Sequence, residues 1–267
     1  MRRAPRAPLV LALVATAGCA VPGVVVPANG LLRGVHLRGP GRAPVIALTF
    51  DDGPNGRCTE AVLDALAATR APATFFVLGA NVDAGTDDAL LARMVADGHE
   101  IALHGYRHGV RRLFFRDLTE EDLARAADAV AAALARRGEP PARLRFFRPP
   151  YGVLLGPSAR AAAARDLAVV LWTLSARDWA RGRRAEDVAA ELLATAGPGD
   201  VIVLHDGHET RHESTTVCRN RAVAADVVRR LVPALAARGL RVAPLAEVLG
   251  VERPAVLTAA RSPSRSR

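Results

Sequence analysis

Five short stretches of the chain combine residues that do chemistry with residues that stiffen a backbone. The first is Asp51-Asp52-Gly53-Pro54. Two adjacent carboxylates repel each other unless a cation or a proton relieves them. On a loop they can point apart, so that one binds a metal while the other acts as a base; a solvated Asp-Gly-Pro turn is the bland alternative. The second is His104-Gly105-Tyr106-Arg107-His108. Histidines four apart share one face of a helical turn, imidazole suits zinc, and one carboxylate would complete a three-ligand site with an open position. In the third, Arg148-Pro149-Pro150-Tyr151-Gly152, a guanidinium able to hold a carboxylate bidentately sits beside a stiff turn able to aim a backbone N–H at developing negative charge. The fourth is Asp178-Trp179, with Trp172 shortly before it, and the fifth is Leu204-His205-Asp206. A histidine paired with a carboxylate can be a general acid held protonated. His208 and His212 are weak as ligands and read better as part of a polar loop. Taken singly, each stretch reads about as well as a surface pair, a salt bridge or a cap.

All five lie just after apolar runs. Residues 45–50, 73–78, 100–103, 145–147, 168–173, 201–204 and 240–243 read as strands, the first as a buried parallel strand. Between them, residues 59–69, 89–96, 119–137, 185–195 and 222–238 read as helices, followed by a short helical turn to Leu249. Thr119 is the expected N-cap of the third helix and Gly138 its end; Pro233 sets a kink in the last long one. Strand–helix alternation implies an α/β fold, a parallel sheet with helices outside, and its carboxyl edge is where sites are built. The pattern alone does not choose between a barrel and an open sheet.

The chain has 267 residues, half of them apolar, and a formal charge of +9. That suits one large domain rather than two. Three of the charges fall on Arg2, Arg3 and Arg6 and a net three on the tail from Val251, leaving an ordinary body. No basic stripe interleaved with aromatics is present, so nucleic-acid binding is not expected. Residues 1–19 have the charged start, short apolar run and small-residue ending of an export signal. The Ala-Gly-Cys ending makes Cys19 a lipidation candidate, with plain secretion or an uncleaved anchor as alternatives. The apolar run is too short to span a bilayer, and membrane contact is expected only through such a lipid. Residues 20–43 read as a spacer, 44–250 as the catalytic body, and 251–267 as a disordered basic tail. Export would permit a disulfide between Cys58 and Cys218.

The five stretches, in this order and over about residues 45 to 249, resemble the five motifs of the NodB-like polysaccharide deacetylases, carbohydrate esterase family 4. The resemblance implies a distorted, incomplete (β/α)7 barrel, an expected monomer, that hydrolyses acetyl groups on an envelope or extracellular glycan. Peptidoglycan N-acetylglucosamine is the preferred substrate; chitooligosaccharide, xylan or exopolysaccharide, and a silent glycan-binding module, are the alternatives. It implies a divalent metal, zinc before cobalt or nickel, on Asp52, His104 and His108. Asp51 would be the base, oriented by Arg148, and His205 the acid, partnered by Asp178. The Tyr151 N–H would stabilise the oxyanion, and Leu204 and Trp179 would shape the acetyl pocket. Two residues depart from the family pattern: Gly105 where Ser or Thr is usual, which bears on metal affinity, and Ser175 where an acid is common. A barrel would also bring the loops carrying Cys58 and Cys218 together, which favours their pairing.

Overall fold

The structure, a computed structural model, describes residues 35–85, 87–109, 119–207 and 215–251, the last without the side chains of 215–222. In chain order the strands are β1 (Val35–His36), β2 (Val45–Asp51), β3 (Thr74–Val77), β4 (Glu100–Leu103), β5 (Phe146–Phe147), β6 (Ala168–Val170), β7 (Val201–His205) and β8 (Arg241–Val242). The helices are α1 (Gly56–Thr69), α2 (Gly79–Asp83), α3 (Asp88–Ala96), α4 (Glu120–Arg136), α5 (Gly156–Ala164), α6 (Ala185–Thr195), α7 (Thr215–Ala237) and α8 (Leu245–Leu249), with a 3-10 turn at Pro150–Gly152. Every strand pair is parallel, in the order β1-β6-β5-β4-β3-β2-β7, with β8 beside the start of β2.

The sheet curls into an incomplete barrel with helices around it, as expected. Its seam explains why it is incomplete. The chain leaving β6 meets β7 only through a single bridge, Leu174 with Ile202. Three backbone bonds hold it: Thr173 and Leu174 N–H to the Val201 carbonyl at 3.0 and 3.2 Å, and Val203 N–H to the Leu174 carbonyl at 3.0 Å.

Strand periodicity sorts the side chains into two clusters. Ile46, Leu48, Phe50, Phe75, Val77, Ile101, Leu103, Phe147, Val169, Ile202 and Leu204 face the helices. Val45, Ala47, Phe76, Ala102, Phe146, Val170 and Val201 face inward, closed at the amino end by α8. Continuing the inward set by two residues along each strand reaches Thr49 and Asp51, His104, Arg148, Trp172, and Val203 and His205. One alternation therefore fills the lower barrel with apolar groups and its carboxyl rim with polar ones. Register keeps them level: Asp51 pairs with His205, and Leu103 with Phe147.

The long helix α4 follows its sequence signals. Thr119 accepts from the Asp122 N–H, Glu120 and Glu121 occupy the first turn, and Leu123, Ala126, Val130, Ala133 and Leu134 form the buried face. Three expectations need correction. Residues 35–43, placed in a spacer, are part of the folded body: Val35–His36 form β1, which pairs with β6, and in the loop that follows the Gly39 N–H donates to the Gly199 carbonyl at 2.8 Å. A two-residue strand is too short to leave a periodic pattern. The strand expected at 168–173 ends at Val170, where the chain turns toward the seam. Helix α7 begins at Thr215 rather than 222. Residues 1–34 and 252–267 lie outside the described residues, and with them the expected signal, Cys19 and basic tail.

Candidate functional site

Asp52, His104 and His108 each turn one ligand atom toward a common point, all within 4.8 Å of one another. Two details fit a cation there. The buried Asp52 Oδ1 has no hydrogen-bond partner, an expensive condition for a carboxylate unless something else satisfies it. His104 Nδ1 lies 2.7 Å from the Arg148 carbonyl, which makes it the donor and leaves Nε2 bare, 3.5 Å from Asp52 Oδ1. Burial pushes His104 down to about 3, against the pull of Asp52, so the ring is neutral as a metal ligand must be. His108 Nε2 stands 3.7 Å from the same oxygen. Asp52 adopts φ 75°. Its carbonyl is held by Asn81 Nδ2 at 2.7 Å, and the Gly53 carbonyl by the Leu78 N–H at 2.9 Å.

Asp51 takes the inward face and meets Arg148, which is fully buried across the barrel. Arg148 Nη1 donates to Asp51 Oδ1 at 2.6 Å and to Thr49 Oγ1 at 2.8 Å; Nε and Nη2 donate to the Val170 and Leu171 carbonyls at 3.1 and 3.0 Å. Its guanidinium lies 4.0 Å over the Phe76 ring. Burial lowers its pKa while Asp51 acts to raise it. A buried pair this fully bonded is rigid, and losing one partner strands the other at about 3–5 kcal/mol.

Across the rim, Asp178 Oδ1 lies 2.9 Å from His205 Nδ1, and its Oδ2 accepts the His205 backbone N–H at 2.8 Å. Burial works against a charged His205, but the Asp178 charge and hydrogen bond outweigh it and raise the imidazole to about 9. Arg177, just before Asp178, takes φ 48°, so the chain turns Asp178 inward while Arg177 stays exposed.

Tyr151 adopts φ 59° inside the 3-10 turn, and its ring meets His108 edge-on at 4.2 Å. Gly152 is required beside it: a Cβ there would stand 2.7 Å from the Trp172 ring. Trp179 is 49 % exposed at the rim. Leu204 departs from the expectation of a pocket residue. The period of β7 turns it into the helix-facing cluster, and Val203 shares the inward face with His205.

The structure thus brings Asp51, Asp52, His104, His108, Arg148, Asp178 and His205 to one rim. Cys58 is disulfide-bonded; the side chain of Cys218 lies outside the described residues, as do His208 and His212. Thr49, Asn81, Thr59, Val203 and the role of Asp206 escaped the sequence reading. Asp206 is fully buried under Gly53, where a Cβ would come within 2.2 Å of it, and accepts from Thr59 Oγ1 at 2.6 Å. Burial first, then the charges of Asp52 and Asp51, raise it to about 7. Thr49 was recoverable from its two-residue offset from Asp51. Asn81 and Thr59 had no signal, because they meet the site through other elements.

A family model described as polysaccharide deacetylase matches residues 38–170. A chitooligosaccharide deacetylase of Bradyrhizobium sp. (strain ANU 289) is 38 % identical over 206 residues, covering 76 % of this chain and 90 % of that one. A peptidoglycan-N-acetylglucosamine deacetylase of Listeria monocytogenes is 33 % identical over 165 residues, 62 % of this chain and 33 % of that protein. Among solved structures, a peptidoglycan N-acetylglucosamine deacetylase in complex with 4-naphthalen-1-yl-N-oxidanyl-benzamide aligns with a TM-score of 0.68 at 26 % identity, covering 82 % of this chain and 94 % of that one. A family 4 carbohydrate esterase from Streptomyces lividans, in complex with acetate, aligns at 0.61 and 26 % identity, covering 74 % and 91 %.

Proposed function

Since the chain belongs to the polysaccharide deacetylase family, we propose that its reaction is N-deacetylation of N-acetylglucosamine in peptidoglycan, carried by the rim residues described above. The enzyme is a polysaccharide deacetylase, a hydrolase acting on amide bonds in a family whose members are metal-dependent. The observation that carries the mechanism is the contrast between two titratable groups facing one rim. Asp51 is pinned by a buried guanidinium, and His205 is kept protonated by a buried carboxylate. A carboxylate held by a guanidinium can accept a proton and an imidazolium held by a carboxylate can give one, so the two divide into base and acid.

Asp52, His104 and His108 would hold a divalent cation, zinc by the chemistry of two imidazoles and one carboxylate. When bound, it supplies Lewis-acid activation of the attacking water and of the amide carbonyl. Asp51 takes a proton from that water, its free oxygen aimed by the grip of Arg148 on the other. The Tyr151 N–H, set by the left-handed turn, donates to the oxygen that becomes negative. His205 gives its Nε2 proton to the leaving amine, while Asp178 fixes the tautomer and stabilises the imidazolium. Val203, Trp172 and Trp179 bound the acetyl methyl.

The substrate assignment has one competitor with an observation behind it. The chitooligosaccharide deacetylases align over more of this chain than the peptidoglycan deacetylase of Listeria does. An exported, lipid-tethered enzyme, as expected from residues 1–19 and Cys19, would meet the wall polymer, which supports peptidoglycan. The decisive experiment measures acetate released from N-acetylated glycans by the full chain, with chelator, with zinc restored, and with Asp51→Asn. Release that chelator abolishes, zinc restores and folded Asp51→Asn lacks by at least about 100-fold supports the roles. Full turnover by Asp51→Asn, or by metal-free protein, sinks them.

A further inference from the structure

The loop between β6 and α6 does more than deliver Asp178. It reads Leu-Trp-Thr-Leu-Ser-Ala-Arg-Asp-Trp-Ala-Arg-Gly-Arg-Arg over residues 171–184, with four arginines and one acid. The acid, Asp178, is buried and committed to His205. Arg183 pairs with Glu191 at 2.5 Å and Arg184 with Glu186 at 3.5 Å. Arg177 and Arg181 are exposed and have no ion pair among the described residues. They stand two residues either side of Trp179, the most exposed large hydrophobic residue described. Two successive turns shape the segment, Ala180 N–H to the Arg177 carbonyl at 2.9 Å and Arg183 N–H to the Ala180 carbonyl at 3.4 Å. Arg177 itself sits at φ 48°, a conformation that costs a non-glycine residue free energy and concentrates at functional sites.

One neighbouring loop adds a charge of the same sign. The loop after β4 adds the exposed Arg107. Among the described residues, the loops after β4, β5, β6 and β7 carry no exposed carboxylate, because Asp178 and Asp206 are both buried. An exposed flat apolar ring in a loop that also exposes two guanidiniums suits a sugar face whose neighbours bear negative charge.

Resting on the deacetylase reading above, we infer that Arg177 and Arg181, with Trp179 between them, form an anion-reading rim that selects glycans carrying carboxylates next to the acetylated sugar over neutral glycans. The rim acts on capture rather than on bond breaking. It therefore appears in kcat/KM and in its salt dependence, with kcat at saturation nearly unchanged.

The test uses the full-length zinc-loaded protein and three probes: soluble peptidoglycan strands whose stem peptides have been removed, so that every second sugar bears its native lactyl group as a free carboxylate, the same strands with those carboxylates amidated, and neutral chitopentaose. The expected kcat/KM is about tenfold higher on the native strands than on the amidated ones at low salt, a preference that fades at high salt. Arg177→Gln/Arg181→Gln should lose that preference while keeping the wild-type rate on chitopentaose. Equal kcat/KM on native and amidated strands, or a preference that survives in the double variant, overturns the inference and leaves the deacetylase reading intact. No acetate from any probe counts against the deacetylase reading itself. Binding of the chelator-treated protein to native and amidated strands, measured by calorimetry, then decides the rim separately: equal affinity overturns it.

Discussion

At the scale of single residues, the sharpest consequence concerns His205. Its folded value, raised to about 9, keeps the imidazole charged through neutrality. Turnover that needs the imidazolium therefore falls as pH climbs toward 9. A bound cation offsets the charge of Asp52, one of the contributors, so the basic limb of the loaded enzyme sits at or below that value. The same shift contributes stability that is full below 6.5 and lost between 6.5 and about 9. Asp178→Asn removes the largest raising influence, and the basic limb of kcat should move down toward the ordinary 6.5; a pH–rate profile checks this, and an unmoved limb removes Asp178 from the role. Leu204 gives a second residue test. Because it packs among the helices, Leu204→Ala should cost about 2–5 kcal/mol in denaturant unfolding while the folded protein keeps its KM. A selective rise in KM would return Leu204 to the pocket. That these residues would gather at one rim was legible because the motifs that carry them sit at strand ends in fixed order. Leu204 was misread because a motif gives neighbours in sequence, whereas a strand assigns faces by alternation.

Elements were legible in proportion to their length and pattern. β2, β4, α4 and α6 were readable because a buried run, or an amphipathic face with a cap, persists over enough residues to be periodic. β1, α2 and α5 were not: β1 and α2 are five residues or shorter, and α5 is alanine-rich, with little apolar contrast between its faces. The turn after β4 shows what a departure from the family pattern means physically. Gly105 stands at φ 85°, and its carbonyl accepts the Gly79 N–H at 3.0 Å while the Tyr106 carbonyl accepts the Ala80 N–H at 2.7 Å. These bonds lock the turn that presents both His104 and His108. A β-branched residue in that region costs roughly 1–2 kcal/mol, so Gly105→Thr should lower the melting temperature and weaken zinc binding, both read on one purified sample by thermal melts and metal titration. Tighter zinc binding by that variant would show that the turn is built for another conformation.

Across the whole molecule, the proposed metal ligands come from two strand ends, Asp52 after β2 and His104 and His108 after β4, with β3 between them. The proposed base and acid and the residues that hold them come from β2, β5, β7 and the β6–α6 loop. The active centre thus ties together most of the rim of a barrel whose seam is a single bridge. Among the described residues, the carboxylates Asp51, Asp52, Asp178 and Asp206 gather around Arg148 and His205, and Asp52 Oδ1 has no hydrogen-bond partner. A cation that binds the folded chain and not the unfolded one stabilises it by mass action, by about 2.7 kcal/mol at a hundredfold excess over Kd. For a domain of this size that corresponds to a rise of roughly 5–10 °C in melting temperature. Zinc should produce that shift in the wild-type protein and fail to produce it in Asp52→Ala or His104→Ala. The shift should also shrink as pH falls, because protons compete for the two imidazoles and the carboxylate. A zinc-induced shift that persists undiminished in both variants would place the cation elsewhere on the chain and dissolve the link between the barrel's rim and its stability.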